Sequence, residues 1–328
     1  MERRDFLHQS LAYSMMPGSS ISNTPSLIRD KSMGPVVIER PIPGLPHKGK
    51  VLAVIQPHCD DIALFAAGTV AKLIKEGYTG YLIRTSNDDH AGAGETIGDV
   101  IRNNGIANGA VATALGLQKV FDLGYRNHMM DNYSIQEIRG RLIFLFRVLK
   151  VDTLISYDPW SSYEENPDHY ITARAVESAR WMAGGGRDYP EHFEAGLKPH
   201  AVIERYYFAR GPQLVNRIVD ITETLEVKID ANLANFSQGP AGETGARIKK
   251  ELERKGKTLP ILGKTDLEAN RNYIKHFVLD MDSQAQRGVP SDRIVGEEHQ
   301  LGWAERFHYI GAEPSILPAY IAENEVKR

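Results

Sequence analysis

Val51-Leu52-Ala53-Val54-Ile55-Gln56-Pro57-His58-Cys59-Asp60-Asp61 joins an unbroken apolar run, rich in β-branched residues, to a polar turn. The run has strand length and the residues beyond Asp61 have helical spacing, so the turn stands where a buried strand hands over to a helix. Open α/β sheets place their binding sites at such strand ends. His58 and Asp61, three residues apart on one turn, can aim at a single point as metal ligands, and Asp60 is left over as a carboxylate able to act as a base. A second polar cluster at a later strand end, Asn166-Pro167-Asp168-His169, offers a third ligand in His169. Three protein ligands leave a coordination position for water, whose pKa falls to roughly 7 on zinc. The plainer alternative is that Asp60 and Asp61 only cap the helix after them.

Downstream of this turn, Ile62, Phe65, Thr69 and Leu73 recur at helical spacing, and Gly77 closes that helix. Tyr81 to Thr85 reads as a strand, residues 95–117 as a mostly helical stretch weakened by Gly105 and Gly109, and Lys119 to Leu123 as a short strand. Ile135, Ile138, Leu142, Leu145 and Leu149 form the cleanest helical stripe, followed by a strand from Val151 to Tyr157 and a helix from Asp168 to Ala183. Val202 to Phe208 and Ile218 to Asp220 are further strands. The alternation predicts a Rossmann-like α/β fold: a mainly parallel sheet with helices on both faces. Beyond Thr222 helical patterns separated by Gly and Pro predict a helical C-terminal addition.

Residues 1–45 read as a leader and linker, ending in Pro41, Pro43, Gly44 and Pro46, with the catalytic-type domain over 46–328. Arg3-Arg4 before Phe6-Leu7 resembles the twin-arginine export signal, although the apolar segment behind it is short. The expectation is export to the periplasm if this start acts as a signal, and a cytoplasmic protein otherwise. No apolar run approaches the roughly 18 residues of a membrane span. With 39 Lys and Arg against 42 Asp and Glu, the formal charge is −3, and no basic run with interleaved aromatics favours nucleic acid. Cys59, the only cysteine, excludes an internal disulfide and a multi-cysteine zinc site and reads as a small buried residue.

Pro57-His58-Cys59-Asp60-Asp61-Ile62 and Asn166-Pro167-Asp168-His169 together resemble the two motifs of the PIG-L-type zinc-dependent de-N-acetylases, Pro/Ala-His-Pro-Asp-Asp-Glu and His-Pro-Asp-His. Ala114-Leu115-Gly116, the stretch ending Ser237-Gln238, and Ala304-Glu305 with Phe307 extend the resemblance over roughly residues 49–311. It implies removal of acetate from an N-acetylated amino sugar or its conjugate, a small-molecule substrate, and Zn2+ or another divalent metal on His58, Asp61 and His169. It further implies that Asp60 is the general base and that Asp168 orients the machinery. Asn166 stands where the family has a histidine that assists the oxyanion and leaving group; an amide donates a hydrogen bond but delivers no proton at neutral pH. For the acid step, either Asp60 shuttles its proton to the amine or another group, such as His90 or His128, replaces that histidine. Arg84, Arg102, Arg126 and Asp131 are candidates for sugar hydroxyls, and Trp160 and Tyr163 for stacking on a pyranose face. Two alternatives share these residues: a metal-dependent amidase or esterase on a larger acyl or thiol conjugate, and a non-catalytic sugar-binding relative.

Overall fold

The computed structural model describes residues 35–312 and 315–326; the twin-arginine start lies outside them. In chain order the elements are β1 (Val37–Glu39), β2 (Val51–Gln56), α1 (Asp61–Phe65), α2 (Ala67–Lys75), β3 (Thr79–Ser86), α3 (Ile97–Ala114), β4 (Val120–Tyr125), α4 (Ile135–Leu149), β5 (Thr153–Tyr157), α5 (Pro167–Ala183), α6 (Pro190–Glu194), β6 (Glu204–Phe208) and β7 (Arg217–Asp220). After these come α7 (Leu225–Ala234), α8 (Thr244–Arg254), α9 (Asp266–Tyr273), a π-helical turn segment over Ile274–Met281, α10 (Ser283–Arg287), α11 (Asp292–Glu298), β8 (Ala304–Ile310) and α12 (Leu317–Asn324).

One sheet orders the strands β1-β7-β8-β6-β5-β2-β3-β4. Every neighbouring pair is parallel except β6–β8 and β7–β8, so β8 alone runs against the rest. The sheet is mainly parallel, as the β-α alternation predicts, and both faces are covered. Strand periodicity divides the core: Leu52 and Val54 of β2 face a layer containing α1, α2 and α7, while Ala53 and Ile55 face α4 and α5. The stripe Ile138, Leu142, Leu145 of α4 is buried in that second layer.

Sequence order turns around at β2. The chain runs outward from β2 through β3 to β4, then returns across the sheet to place β5 on the other side of β2. The carboxyl ends of β2 and β5 therefore diverge into loops on either side of one crevice, the topological switch point where ligands bind in open parallel sheets.

Three local predictions are corrected by tertiary contacts. Val37–Glu39, inside the predicted linker, forms an edge strand whose partner is β7. The single helix expected after Asp61 is two, because Ala66 leaves helical geometry (φ −139°) and the backbone N–H groups of Gly68 and Thr69 bind the carboxylate of Glu305 on β8 at 3.0 and 2.8 Å. That carboxylate gives α2 its own start. β8 itself, in a region predicted helical, is a strand because the slot between β6 and β7 offers ladder partners on both sides. Gly105 and Gly109 do not interrupt α3, which is fixed at its N-terminus by a Thr96–Asp99 capping box.

The helical addition is pinned to the sheet by buried charge. Lys228 Nζ of α7 lies 2.7 Å from Glu305 and 2.8 Å from Asp292, and Arg287 binds Asp292 at 2.8 Å. These pairs satisfy one another out of water, so the segment 284–288 is held against the crevice as a fixed wall.

Candidate active site and metal centre

The turn 57–61 is built from both sides. Gln56, the last residue of β2, spans it by accepting from Ile62 N–H (2.9 Å) while its amide donates to Asn108 (2.8 Å), and Ser86 of β3 donates to the Pro57 carbonyl (2.7 Å). Asp61 closes the turn by accepting the His58 backbone N–H at 2.8 Å. His58 and Asp61 are thereby fixed before any ion is considered. On the facing side, Asn166 caps α5 through a 3.0 Å bond from Asp168 N–H, with Pro167 in the first turn, so Asp168 and His169 start a helix whose origin is rigid.

The two halves meet. His58 Nδ1 is 3.0 Å from His169 Nε2, and Asp61 oxygens lie 3.5 Å from the first and 3.6 Å from the second. Among the described residues this is the one group of ligand-type side chains brought within 4.8 Å of one another, and all three are buried. His58 Nε2 is 3.1 Å from both Asp168 Oδ2 and Asn127 Oδ1, two acceptors, which places its proton on Nε2 and leaves the lone pair of Nδ1 directed at His169. Glu164 is the carboxylate beside His169 Nδ1, at 3.1 Å though not aligned as a hydrogen bond. Two ring nitrogens and a carboxylate facing each other at this range need a positive charge between them, so the donor set fits a divalent cation.

In the metal-free protein the electrostatics favour a proton on His58, which a bound cation would have to displace. Burial pulls the His58 imidazole down, but its bonds to Asp168 and Asp61 outweigh that and hold it well above its ordinary value. Asp61 is lowered to about 2: burial opposes ionisation, and the neighbouring His169 and His58, with a 2.6 Å bond from the Tyr157 hydroxyl, overcome it. Asp60 goes the other way, pushed up to about 7 by burial and by the adjacent Asp61 charge. Two consecutive carboxylates thus divide into an ionised ligand type and one poised near neutrality.

Asp60 has a particular neighbour. A Cβ on Gly239, which has φ +82°, would lie 2.7 Å from Asp60 Oδ2, so only glycine lets this loop approach the carboxylate so closely. Asp168 is fully buried behind His58, where its carboxylate also accepts the backbone N–H groups of His128 (2.7 Å) and Met130 (3.2 Å). It touches no open space and fixes the His58 ring through Nε2. Cys59 is buried, as expected, against Asn235 and Gln238.

Around these groups is a cavity of about 410 Å³ lined by His58, Asp60, Asp61, Asn166 and His169, with Asn127, His128, Arg210 and Gln238 and the segment Gln284–Gly288. A larger hollow of about 630 Å³ lies along β4 and α4, far from these ligands in lining and chemistry. Of the two histidines proposed to replace the missing one, His128 lines the cavity, with a left-handed backbone (φ +59°), and His90 does not, its ring bonding Asp89 at 2.8 Å. The predicted sugar contacts are not in the cavity. Arg84 is buried in ion pairs with Asp88 and Asp122, Arg102 pairs with Asp99, Arg126 with Asp89, and Asp131 is exposed. Trp160 leans on Tyr207 and His308, and Tyr163 is 90 % exposed.

The motifs do not reveal the support behind the ligands or the remaining wall. Tyr157 both binds Asp61 and stacks on His169, with ring centroids 4.2 Å apart; its position as the last residue of β5, beside the switch point, is the signal that points to it. Gln238 closes a stretch that the resemblance includes without giving it a role, and Arg210 and Gln284 have no such signal, because their segments are distant in sequence.

Residues 53–180 match the family model described as PIG-L: GlcNAc-PI de-N-acetylase. The chain carries a PIG-L family domain. The diacetylchitobiose deacetylase of Thermococcus kodakarensis is 29 % identical over 194 residues, which are 58 % of this chain and 71 % of that protein. Among solved structures, the N,N'-diacetylchitobiose deacetylase of Pyrococcus horikoshii superposes with a TM-score of 0.61 at 21 % identity, covering 80 % of this chain and 84 % of that one. The 4-carboxy-2-hydroxymuconate hydratase of Pseudomonas putida KT2440 gives 0.54 at 17 % identity, covering 81 % and 98 %. The fold is therefore shared by proteins named for different reactions, and side chains in the site have to decide the chemistry.

Proposed function

We propose that this protein is a metal-dependent hydrolase that removes the acetyl group from an N-acetylated amino sugar or its conjugate. The observation that carries the reading is the convergence of His58, Asp61 and His169 beside Asp60 in one cavity; the PIG-L domain and a relative named as a diacetylchitobiose deacetylase support it. A divalent cation, zinc on the family resemblance, held by His58 Nδ1, His169 Nε2 and Asp61, would supply Lewis acidity to acidify water and polarise the acyl carbonyl.

The protein's own groups do the rest. Asp60 takes one proton from water as the water oxygen bonds to the acyl carbon; when the C–N bond breaks, Asp60 returns that proton to the departing amine. In the metal-free protein burial and Asp61 raise the proton affinity of this carboxyl, which favours its taking the water proton. Asp168 keeps His58 in the tautomer that presents Nδ1, and Tyr157 fixes the Asp61 oxygen. Asn166 spends its Oδ1 on the α5 cap, which leaves its amide N–H2 to donate to the carbonyl oxygen as charge develops there. Gln238, Gln284 and Arg210 give the opposite wall the amide and guanidinium donors that suit sugar hydroxyls.

Amine release from N-acetylglucosamine and diacetylchitobiose, measured with zinc added and after chelation, tests the proposal. Zinc-dependent release is expected. Stoichiometric metal with no release from any N-acyl sugar would instead favour a sugar-binding relative, and release from larger N-acyl or ester conjugates alone would favour the broader amidase or esterase.

A further inference from the structure

The two ligand histidines are supported unequally at the ring nitrogen that faces away from the ligand cluster. His58 Nε2 has two acceptors at 3.1 Å, Asp168 Oδ2 and Asn127 Oδ1. His169 presents Nε2 to the cluster, and the carboxylate beside its Nδ1 is Glu164, with Oε2 3.1 Å away. Among the described residues neither His169 Nδ1 nor Glu164 Oε2 has a hydrogen-bond partner, and both atoms are buried. Two unpaired polar atoms shut off from water each carry a desolvation cost, and a hydrogen bond between them removes both.

The chain is bent to bring that carboxylate inward. Tyr163, on the loop between β5 and α5, has a left-handed backbone (φ +61°) although its side chain is exposed, an outlier conformation for a bulky residue. Tertiary contacts hold the loop there: Ser162 N–H donates to the Pro212 carbonyl at 3.2 Å, and a Cβ on Gly211 would lie 2.8 Å from the Ser162 carbonyl oxygen. Beyond Tyr163 the two glutamates part. Glu165 points outward, its side chain 86 % exposed and 3.5 Å from Arg210, whereas the Glu164 side chain turns inward and is 7 % exposed. Glu164 Oε1 is fastened by the Asn166 N–H at 3.0 Å, which leaves Oε2 for His169. Backbone strain persists where the surrounding structure imposes it, and here its result is a buried carboxylate set against a ligand histidine. On the face of that ring Tyr157 stacks with 17° between the planes. The stack restrains tilting of the imidazole and permits a shift within its own plane, the direction in which Nδ1–H can align with the carboxylate.

We propose that Glu164 is a positioning residue for His169: its Oε2 accepts the Nδ1 proton, fixes the tautomer whose Nε2 lone pair faces His58 and Asp61, and so raises the affinity of that site for a divalent cation. Glu164 lies outside both motifs, and its role rests on the metal centre of the reading above.

The test is the zinc affinity of the full-length protein, measured by competition with a chelator, in wild type, Glu164→Gln, Glu164→Ala, Glu165→Gln and His169→Ala. Glu164→Ala should bind zinc about 10- to 100-fold more weakly, and Glu164→Gln, which keeps a neutral oxygen acceptor in nearly the same shape, should lose less. Glu165→Gln makes the same change of charge one residue away, facing outward, and should match wild type within about twofold. In zinc-loaded protein carrying isotope-labelled histidine, a downfield ring N–H resonance that is lost in His169→Ala should also be lost or moved upfield in Glu164→Ala, an effect that general destabilisation does not produce. Circular dichroism and melting temperature identify the folded variants. Wild-type affinity in folded Glu164→Ala overturns the proposal, and where that variant does not fold, wild-type affinity in Glu164→Gln does the same. So does a loss in Glu165→Gln as large as that in Glu164→Gln, or a His169 N–H resonance indifferent to Glu164. No zinc binding by wild type, or zinc binding that survives His169→Ala, overturns the metal centre and this role with it. Glu164-dependent zinc binding without amine release from any N-acyl sugar defeats the proposed reaction and leaves this role standing.

Discussion

The two sides of the crevice are built differently. The ligand side consists of a turn and a helix start held by short-range bonds, His58 N–H to Asp61 and Asp168 N–H to Asn166, whose functional side chains are three or fewer residues from their supports. The opposite side takes Gln238–Pro240 from a loop and Gln284–Gly288 from α10 and its end, and is tied to the sheet by buried charge, Lys228 to Asp292 and Glu305 and Arg287 to Asp292. The first side places charges that must be right to within tenths of an ångström; the second presents neutral amides, Arg210 and the ion-paired Arg287, whose contributions are graded. Substitutions should therefore be near all-or-none on the ligand side and incremental on the other.

The largest effect is expected from His58→Ala, Asp61→Ala or His169→Ala. Each removes one of three protein donors, so metal content and turnover should fall together to background, as read by elemental analysis alongside the amine-release assay. A ligand variant that keeps full metal and activity would show that the cation sits elsewhere.

Asp60→Asn should separate the two readouts. Metal stays, while turnover drops by roughly 10²–10⁴, the usual contribution of general acid–base catalysis. The same variant makes a pH prediction for the metal-free protein. Asp60 in the folded chain is raised to about 7 by burial and by Asp61, so between the ordinary carboxylate range and about pH 7 the folded state holds a proton that the unfolded state has released. Stability is accordingly lost as pH rises through that window. Denaturant unfolding should show the advantage of Asp60→Asn over wild type growing from pH 4 to 7 and level above; an advantage that shrinks with rising pH would contradict the assigned environment.

Tyr157→Phe keeps the stack on His169 but deletes the 2.6 Å bond to Asp61. Metal affinity, followed by competition with a chelator, should weaken by about 10- to 100-fold, the range seen when a partner of a metal ligand is removed. Asn166 has two separable duties. Asn166→Asp retains the helix cap and loses the amide donor, whereas Asn166→Ala loses both; the alanine variant should be less stable than the aspartate by about 1 kcal/mol, and both should turn over more slowly than wild type. Equal rates in all three proteins would move the oxyanion contact to His128, which lines the same cavity.

The smallest change is expected on the far wall. Arg210→Ala or Gln284→Ala removes a donor that meets ground state and transition state alike, so KM should rise by roughly 3- to 10-fold with kcat and metal content nearly constant. A collapse of kcat in either variant would erase the contrast between the two sides.

By itself the sequence determined the sheet class and the ligand turn. An apolar run ending in His58-Cys59-Asp60-Asp61 and a helix start bearing Asp168-His169 encode their geometry within a few residues, and β-α alternation sets the strand direction whatever lies outside it. Tertiary structure alone decided the features that depend on distant partners. β8 became a strand because two others left a slot between them, α2 was cut from α1 by the carboxylate of Glu305, and Asn127 and Arg210 reached the cavity through chain crossings that no local pattern records. The predicted sugar-binding arginines show the same limit from the other direction: Arg84 and Arg126 do stand near strand ends, but buried or nearby aspartates claim them first, and the energy of an ion pair formed inside the fold is invisible until both partners are placed.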